Sequence, residues 1–525
     1  MKLKTFMRFI CICLLSFILS SCNLIGFVTS SSSSEPIQLK EYAGQNITLK
    51  MLNEASEIVS LDSTGHQNIL VLPVCFKDFS LEFLGLKEEE VISNLNKAFF
   101  GKEEETGWES VSSFYEKSSY SNLHINGEVA PVYTIDKTLI EVSKLTSSER
   151  GYDPSFYLLD NAFNNFKENY KGDISKFDAN KDGYIDGIWV IYLNPYYHTT
   201  TEKYYSKINP TYNLPSIKNS VSSLLWAYTY WKYGSVQNDK SPNPFCYSFA
   251  SYSFLWDGGY KNEEGQSLVD AHTYIHETGH LLGLDDYYNY DYSSKSPISP
   301  TGGVDMMDNN VGDHNSYSKY LLNWIAPKLV KEEGTYHLTS FSENGDCLLL
   351  PANISTYNNS PFDEYLLFEF YTPTSLNELD SLAPYDNGVQ MLTDYGVRIY
   401  HVDSRLIVLK YDFFSGTFLN HGYSSSFVLD EYEYSIIGAS NTPSYSQTDK
   451  ILINMLSNEN NQKNYYYQDK EDGIASNECL FKKGSKIKNF TFNNGSKLNY
   501  LIEISSLDEN GVDITFSLVS EALDV

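Results

Sequence analysis

Two histidines and a glutamate stand in the string His276-Glu277-Thr278-Gly279-His280-Leu281-Leu282-Gly283-Leu284-Asp285-Asp286. If the string is helical, His276 and His280 project from one face a turn apart, and their ring nitrogens converge on one ion. Glu277 then points beside that ion, where it can take a proton from water. Gly283 suits a left-handed residue just past the helix end, and the sharp turn it allows carries Asp286 to a third coordination position. Three protein ligands leave a fourth place for water, as in a catalytic zinc site; a structural site closes all four. His272 lies four residues further upstream. With three ligands already at hand, it reads as a histidine that supports the site or lies at the surface. His-Glu-x-x-His strings also arise by chance on amphipathic helices, and the extension through Gly283 to Asp286 argues against chance here.

A helix carrying these ligands needs a start, a buried face and a floor. Ser267 with Asp270 reads as a variant capping box, and Leu268, Ala271, Ile275 and Leu282 form an apolar stripe behind the ligands. Downstream, Gly302-Gly303-Val304-Asp305-Met306-Met307-Asp308 places a methionine after a bend, roughly twenty residues past the ligands, as the Met-turn beneath metzincin-type sites does. Met307 is the candidate for that role ahead of Met306, with core packing as the other use. Residues 224–230 read as an edge strand along which an extended substrate would align. The apolar run over 69–76 reads as a strand kept near a sheet edge by Pro73. Helical spacing covers 88–100, 108–117 and 316–324, and Asp153-Pro154 opens another helix with Asp153 as its cap. Leu123-His124-Ile125-Asn126-Gly127-Glu128-Val129 reads as a hairpin turning on Asn-Gly, and 188–193 as a strand.

A second candidate metal site is Asp178-Ala179-Asn180-Lys181-Asp182-Gly183-Tyr184-Ile185-Asp186. Side-chain oxygens alternate at Asp178, Asn180 and Asp182, Gly183 sits at the bend, and the Tyr184 carbonyl follows, as in the first part of an EF-hand calcium loop. The pattern departs at its twelfth position, where Trp189 replaces the bidentate glutamate. Calcium is to be completed by Asp186, backbone carbonyls, water or a remote residue. A plain Asx-turn loop is the other reading.

At 525 residues the chain exceeds one ordinary domain. A net charge of −29 argues against nucleic acid and anionic membrane surfaces as partners and suits an exported body. Lys2, Lys4 and Arg8 precede an apolar run over 9–19 that ends in Leu19-Ser20-Ser21-Cys22, the pattern of a bacterial lipobox. Cleavage there removes residues 1–21 and leaves Cys22 lipidated. Residues 22–40 then form a Ser-rich tether that holds the body at the outer face of the cell membrane. An ordinary signal peptide or a transmembrane helix is the alternative. Cys75, Cys246, Cys347 and Cys479 remain, with three possible pairings or none. From 331 onward, strands at 364–371, 396–402, 498–505 and 512–518 alternate with Asn-, Gly- and Ser-rich turns, the texture of a β-rich, sandwich-like domain.

With these segments the chain resembles the immune inhibitor A family of secreted bacterial zinc metallopeptidases. The zinc string is the most specific point of likeness. Supporting it are Ser110-Val111-Ser112-Ser113-Phe114-Tyr115 with Ser118-Ser119-Tyr120, Asp182-Gly183-Tyr184-Ile185-Asp186 and Met306-Met307-Asp308. Lys319-Tyr320-Leu321-Leu322-Asn323-Trp324 and Gly396-Val397-Arg398-Ile399-Tyr400-His401-Val402-Asp403 extend it, so the likeness runs over about 66–410. The resemblance implies zinc on His276, His280 and Asp286, Glu277 as base, and hydrolysis of extracellular proteins or peptides. Asp286 stands where many metzincins have histidine, and Asp285 beside it is the other candidate for third ligand. Tyr317 is a nominee for steadying the oxyanion.

The expected molecule is α+β: a metzincin-like zinc peptidase domain over 41–330, then a β-rich, sandwich-like domain over 331–525, with zinc and calcium as cofactors. The rival expectation is a surface binding or adhesion lipoprotein that keeps both metals for structure. An intact Glu277 argues against it, since a structural site has no use for a base.

Overall fold

The computed structural model describes residues 47–519 apart from 56–59, 146–151, 197–223, 233–234, 239, 292–298, 386–387, 425–426, 431, 443, 446–447 and 458–473. The expected signal peptide, Cys22 and the whole of the expected tether lie within residues 1–46, outside the described residues.

After a short helix α1 (Leu49–Ala55), the first sheet is built around β1 (Gly65–Cys75). β2 (Leu123–Val129) and β3 (Tyr133–Thr134) run parallel to it on one side and β4 (Gly187–Tyr192) on the other. β5 (Tyr228–Trp231) closes the edge antiparallel to β6 (Cys246–Ser251), in the order β2-β1-β4-β6-β5.

β1 is thus central, and Pro73 does not mark an edge. The Val71 and Cys75 carbonyls accept from the N–H groups of Ala130 at 2.8 Å and Ile135 at 3.0 Å. Pro73 alternates onto that same side, in the interval between β2 and β3, where no ladder bond needs its missing N–H. The Asn-Gly hairpin is not formed either. Asn126 and Gly127 lie inside β2, opposite Asn68 and Ile69. Gly127 serves close approach, since a Cβ there would stand 2.0 Å from the Ile69 carbonyl oxygen.

Both faces of this sheet are covered, which is why its strands read as continuous apolar runs. Ile69, Val71, Trp189 and Ile191 pack against α2 (Glu88–Phe100), α3 (Val111–Ser118) and the ligand helix α5 (His272–Leu281). Leu70, Leu72, Val74, Ile188 and Val190 pack against α4 (Tyr152–Asn169). α4 starts ahead of Asp153, which lies in its first turn and is not its cap.

Two short helices, α6 (Met306–Asn309) and α7 (Ser316–Leu321), lead into the second half. There β7 (Lys328–Leu329), β9 (Cys347–Pro351), β10 (Glu364–Tyr371), β11 (Gly396–Asp403) and β15 (Ile453–Met455) form one sheet, in the order β15-β11-β10-β9-β7. β8 (Gly334–Leu338), β16 (Lys486–Ile487), β17 (Tyr500–Asp508) and β18 (Gly511–Leu518) form another. Leu348, Leu350, Phe368, Val397 and Ile399 meet Ile502, Ile504, Ile514 and Phe516 in one apolar cluster between the two sheets. The opposite face of β9–β11 carries Leu349, Leu367, Tyr371 and Tyr400, which join the apolar cluster of α5, α6 and α7. That sheet therefore belongs to two layers.

A third, smaller sheet holds β12 (Leu406–Asp412), β13 (Thr417–Ser424) and β14 (Glu433–Ile437), with α1 against β14. At this level the molecule is a mixed α+β fold with several sheets. Cys75, Cys246, Cys347 and Cys479 are all buried and no disulfide joins any two of them, so none of the three pairings forms. No helix among the described residues is long and apolar enough to cross a membrane.

Candidate metal centre

α5 is almost wholly buried, lying across the sheet beside β6 and α3. Tyr274 donates its hydroxyl to the Ser251 carbonyl at 2.8 Å, and Tyr115 donates to the Ile275 carbonyl at 2.7 Å. The helix does not start on Ser267. Asp270 takes that place by accepting the His272 backbone N–H at 3.0 Å, with Ala271 as the cap residue. Leu268 accordingly falls outside the helix, while Ala271, Ile275 and Leu282 are buried as the stripe requires. At the other end Gly283 has φ +98°, and Leu284 N–H returns to the Gly279 carbonyl at 3.0 Å. This left-handed close turns the chain back toward the helix.

The turn brings Asp286 under both histidines. Its Oδ1 lies 2.9 Å from His276 Nε2 and 3.3 Å from His280 Nε2, with the imidazole planes at 85°. Among the described residues, His276, His280 and Asp286 are the only group of three acidic, histidine or cysteine side chains whose ligand atoms lie within 4.8 Å of one another. Asp285 is exposed and stands apart from that group, so the third position falls to Asp286.

The proton inventory bears on what fits there. His276 Nδ1 lies 2.8 Å from the Met306 carbonyl, and His280 Nδ1 lies 2.7 Å from the Leu284 carbonyl. Carbonyl oxygens only accept, so both Nδ1 atoms carry hydrogen and both Nε2 lone pairs of the neutral rings face Asp286. Three acceptors pointed at one place require a cation, either protons or a metal. Without a metal, burial opposes charge on His280, but the Asp286 carboxylate overrides it and pushes the imidazole up to about 10. Asp286 is held far below the usual carboxylate range, its burial outweighed by the two histidines. Two imidazole nitrogens and one carboxylate oxygen with outer-shell carbonyls are a donor set that suits zinc.

Glu277 lies beside this cluster. Burial raises its proton affinity, partly offset by His280 and His276. Its Oε2 accepts the Thr229 hydroxyl at 3.2 Å, from the edge strand β5. Tyr290 donates to Asp286 Oδ2, and its ring packs on Tyr288 with centroids 5.0 Å apart. Tyr317 is fully buried, packed 6.3 Å from the Tyr287 ring.

Met307 lies under the helix where Gly279 leaves room, since a Cβ there would stand 2.6 Å from the Met307 sulfur. The same segment supplies the Met306 carbonyl to His276, while the Met307 carbonyl accepts Tyr287 N–H at 2.8 Å. Asp305 caps α6 by accepting Met307 N–H at 2.8 Å. From the second half, Arg398 donates to the Val304 carbonyl at 3.3 Å and pairs with Glu369 at 2.5 Å, both side chains being buried. Glu369 in turn accepts Ser316 N–H at 2.9 Å.

His272 is neither a ligand nor at the surface. It is buried between Asp270 at 2.6 Å and Asp380 at 3.4 Å, its ring stacked between Trp108 and Tyr385.

In the second candidate loop, Asp178 accepts the N–H groups of Asp182 and Gly183, each at 3.0 Å. Asp182 N–H is shared with Asn180 Oδ1, also at 3.0 Å, and Asp182 Oδ1 accepts Tyr184 N–H at 2.9 Å. Asp186 folds back to Ala179 N–H at 2.6 Å. Gly183 has φ +81°, as the bend requires. Burial, with Asp178 and Asp182 adding to it, pushes the Asp186 carboxyl up to about 7. Trp189 is core, edge-on to Phe99 and Tyr274 behind the ligand helix.

Sequence reasoning missed Thr229, Tyr290, Asp380 and the Glu369–Arg398 pair. Only the last left a signal: a charged residue inside each of two apolar strands, Phe368-Glu369-Phe370 and Val397-Arg398-Ile399. No protein-family model matches this chain, and no curated protein matches it.

Proposed function

We propose that the chain is a cell-surface lipoprotein zinc endopeptidase that hydrolyses peptide bonds of extracellular proteins, related to the immune inhibitor A family with a metzincin-like peptidase fold. The observation that carries this reading is the convergence of three acceptor atoms from His276, His280 and Asp286 with a buried carboxylate, Glu277, beside them. Bound zinc would lower the pKa of a coordinated water towards ~7 and polarise the scissile carbonyl.

The chain's own residues supply the rest. Thr229 holds one Glu277 oxygen, leaving the other to take the water proton and deliver it to the leaving amine. The low polarity around Glu277 favours this role, because a base that returns its proton needs an affinity above that of a free carboxylate. Tyr290 fixes Asp286, and the Met306 and Leu284 carbonyls fix the rings. Among the described residues no strand pairs with the outer side of β5, so an extended substrate can add there. The Asp178–Asp186 loop would hold calcium through Asp178, Asn180, Asp182, the Tyr184 carbonyl and Asp186, bracing the sheet end.

The test is metal content together with casein hydrolysis, with and without chelator, on the wild type and Glu277→Gln. The variant is expected to keep one zinc per chain and lose about 10²–10⁴ in kcat. Full activity in Glu277→Gln, or a wild type that binds no zinc, removes this reading.

A further inference from the structure

The β12–β13 hairpin ends in Asp412-Phe413-Phe414-Ser415-Gly416, and its two phenylalanines are 69% and 102% exposed. Among the described residues no other adjacent pair of large apolar side chains is so bare. The tip is not floppy by composition. Asp412 turns both carboxylate oxygens inward, onto Phe414 N–H at 3.1 Å and Ser415 N–H at 3.2 Å, and its carbonyl accepts Gly416 N–H at 2.8 Å. Gly416 has φ +69°, which closes the turn. Behind the tip, Phe413 rests on Tyr411 and Tyr432, each 5.0 Å away between centroids. Lys410 pairs with Glu433, and the Asp412 carboxylate is turned onto the backbone of the turn.

We infer that this tip inserts into the interface of a zwitterionic lipid bilayer and orients the body on the membrane. Three observations select that occupant. Two phenylalanines cover about 300–500 Å², well short of the roughly 800 Å² per partner that a lasting protein interface needs. A collar of tyrosines under an apolar tip matches the level of lipid headgroups, where aromatic rings with a polar edge settle. And α1, the first described element, packs on β14, which pairs with β12. The described chain therefore begins beside the sheet that carries the tip. About 25 residues separate Cys22 from Ile47, enough to span roughly 80 Å when extended, so anchor and tip reach one surface. The net charge of −29 disfavours anionic headgroups. The anchor at Cys22 rests on the lipoprotein reading above, and none of this depends on the hydrolase reading.

The test uses the mature chain, residues 22–525, with Cys22→Ala, so that neither the signal segment nor lipidation masks the tip, against the same chain carrying Phe413→Ser and Phe414→Ser. Phosphatidylcholine vesicles are the probe, read by flotation and by hydrogen exchange. The expected result is slowed exchange over 411–418 on vesicles, and at least a tenfold drop in vesicle partition for the serine variant at an unchanged thermal melt. Unchanged exchange at the tip, or equal partition of the two chains, overturns the inference. So does protection that appears without vesicles and grows with protein concentration, which would assign the tip to a second copy of the chain.

Discussion

Each imidazole at the candidate centre has its tautomer decided by a backbone carbonyl, and Asp286 has its rotamer decided by Tyr290. Removing the Tyr290 hydroxyl leaves the ligand but frees its orientation. Tyr290→Phe is therefore expected to weaken zinc affinity about 10–100-fold, measured by competition with a chromophoric chelator; unchanged affinity would mean that the hydroxyl has no part in holding the ligand. The two histidines, the glutamate and Asp286 were legible in the chain because helix periodicity and one glycine turn place them locally. Thr229 and Tyr290 were not, since 43 tyrosines offer no way to choose one, and a threonine on an edge strand is unremarkable until the helix lies across it. His272 shared the ligand spacing, and only the non-local Asp380 shows what it does instead.

Among the elements, the Asp178–Asp186 loop makes the clearest demand on conditions. A carboxyl whose affinity for protons is raised by folding stabilises the fold while protonated, and that contribution is lost as pH rises through its folded value. For Asp186 that value is about 7, against an ordinary 3.8. Without calcium, the wild type is expected to melt lower at pH 8 than at pH 6, by on the order of a few degrees more than Asp186→Asn does. Calcium should restore the wild type at pH 8 and leave the variant unmoved. A melt that ignores calcium in both proteins would leave the loop as a plain turn. Element types were read well where a segment's period matched its burial, as in α2. They were misread where a local signal had a tertiary purpose: Asn126-Gly127 admits a neighbouring strand, and Pro73 faces an interval in the ladder.

Across the whole molecule, the β9–β11 sheet couples the sandwich to the ligand helix through the Glu369–Arg398 pair. Arg398→Met leaves Glu369 buried and unpaired, with an expected loss of about 3–5 kcal/mol in urea unfolding. Adding Glu369→Leu should recover much of that loss, since a buried pair replaced together by apolar groups of similar volume is often close to neutral. A double variant no better than the single one would point to the hydrogen bonds at Val304 and Ser316 as the larger contribution. The strands from residue 331 onward were visible, but how their sheets pack was not, because both sides of β10 are apolar and periodicity cannot say which neighbour each side meets.

Since that sheet lines two cores at once, a cut near residue 330 would not yield a smaller working body. It would bare Leu349, Leu367, Tyr371 and Tyr400 on one fragment and withdraw the guanidinium from beneath the methionine bend on the other. Trimming of the tail would, for this architecture, also disturb the packing around the candidate centre.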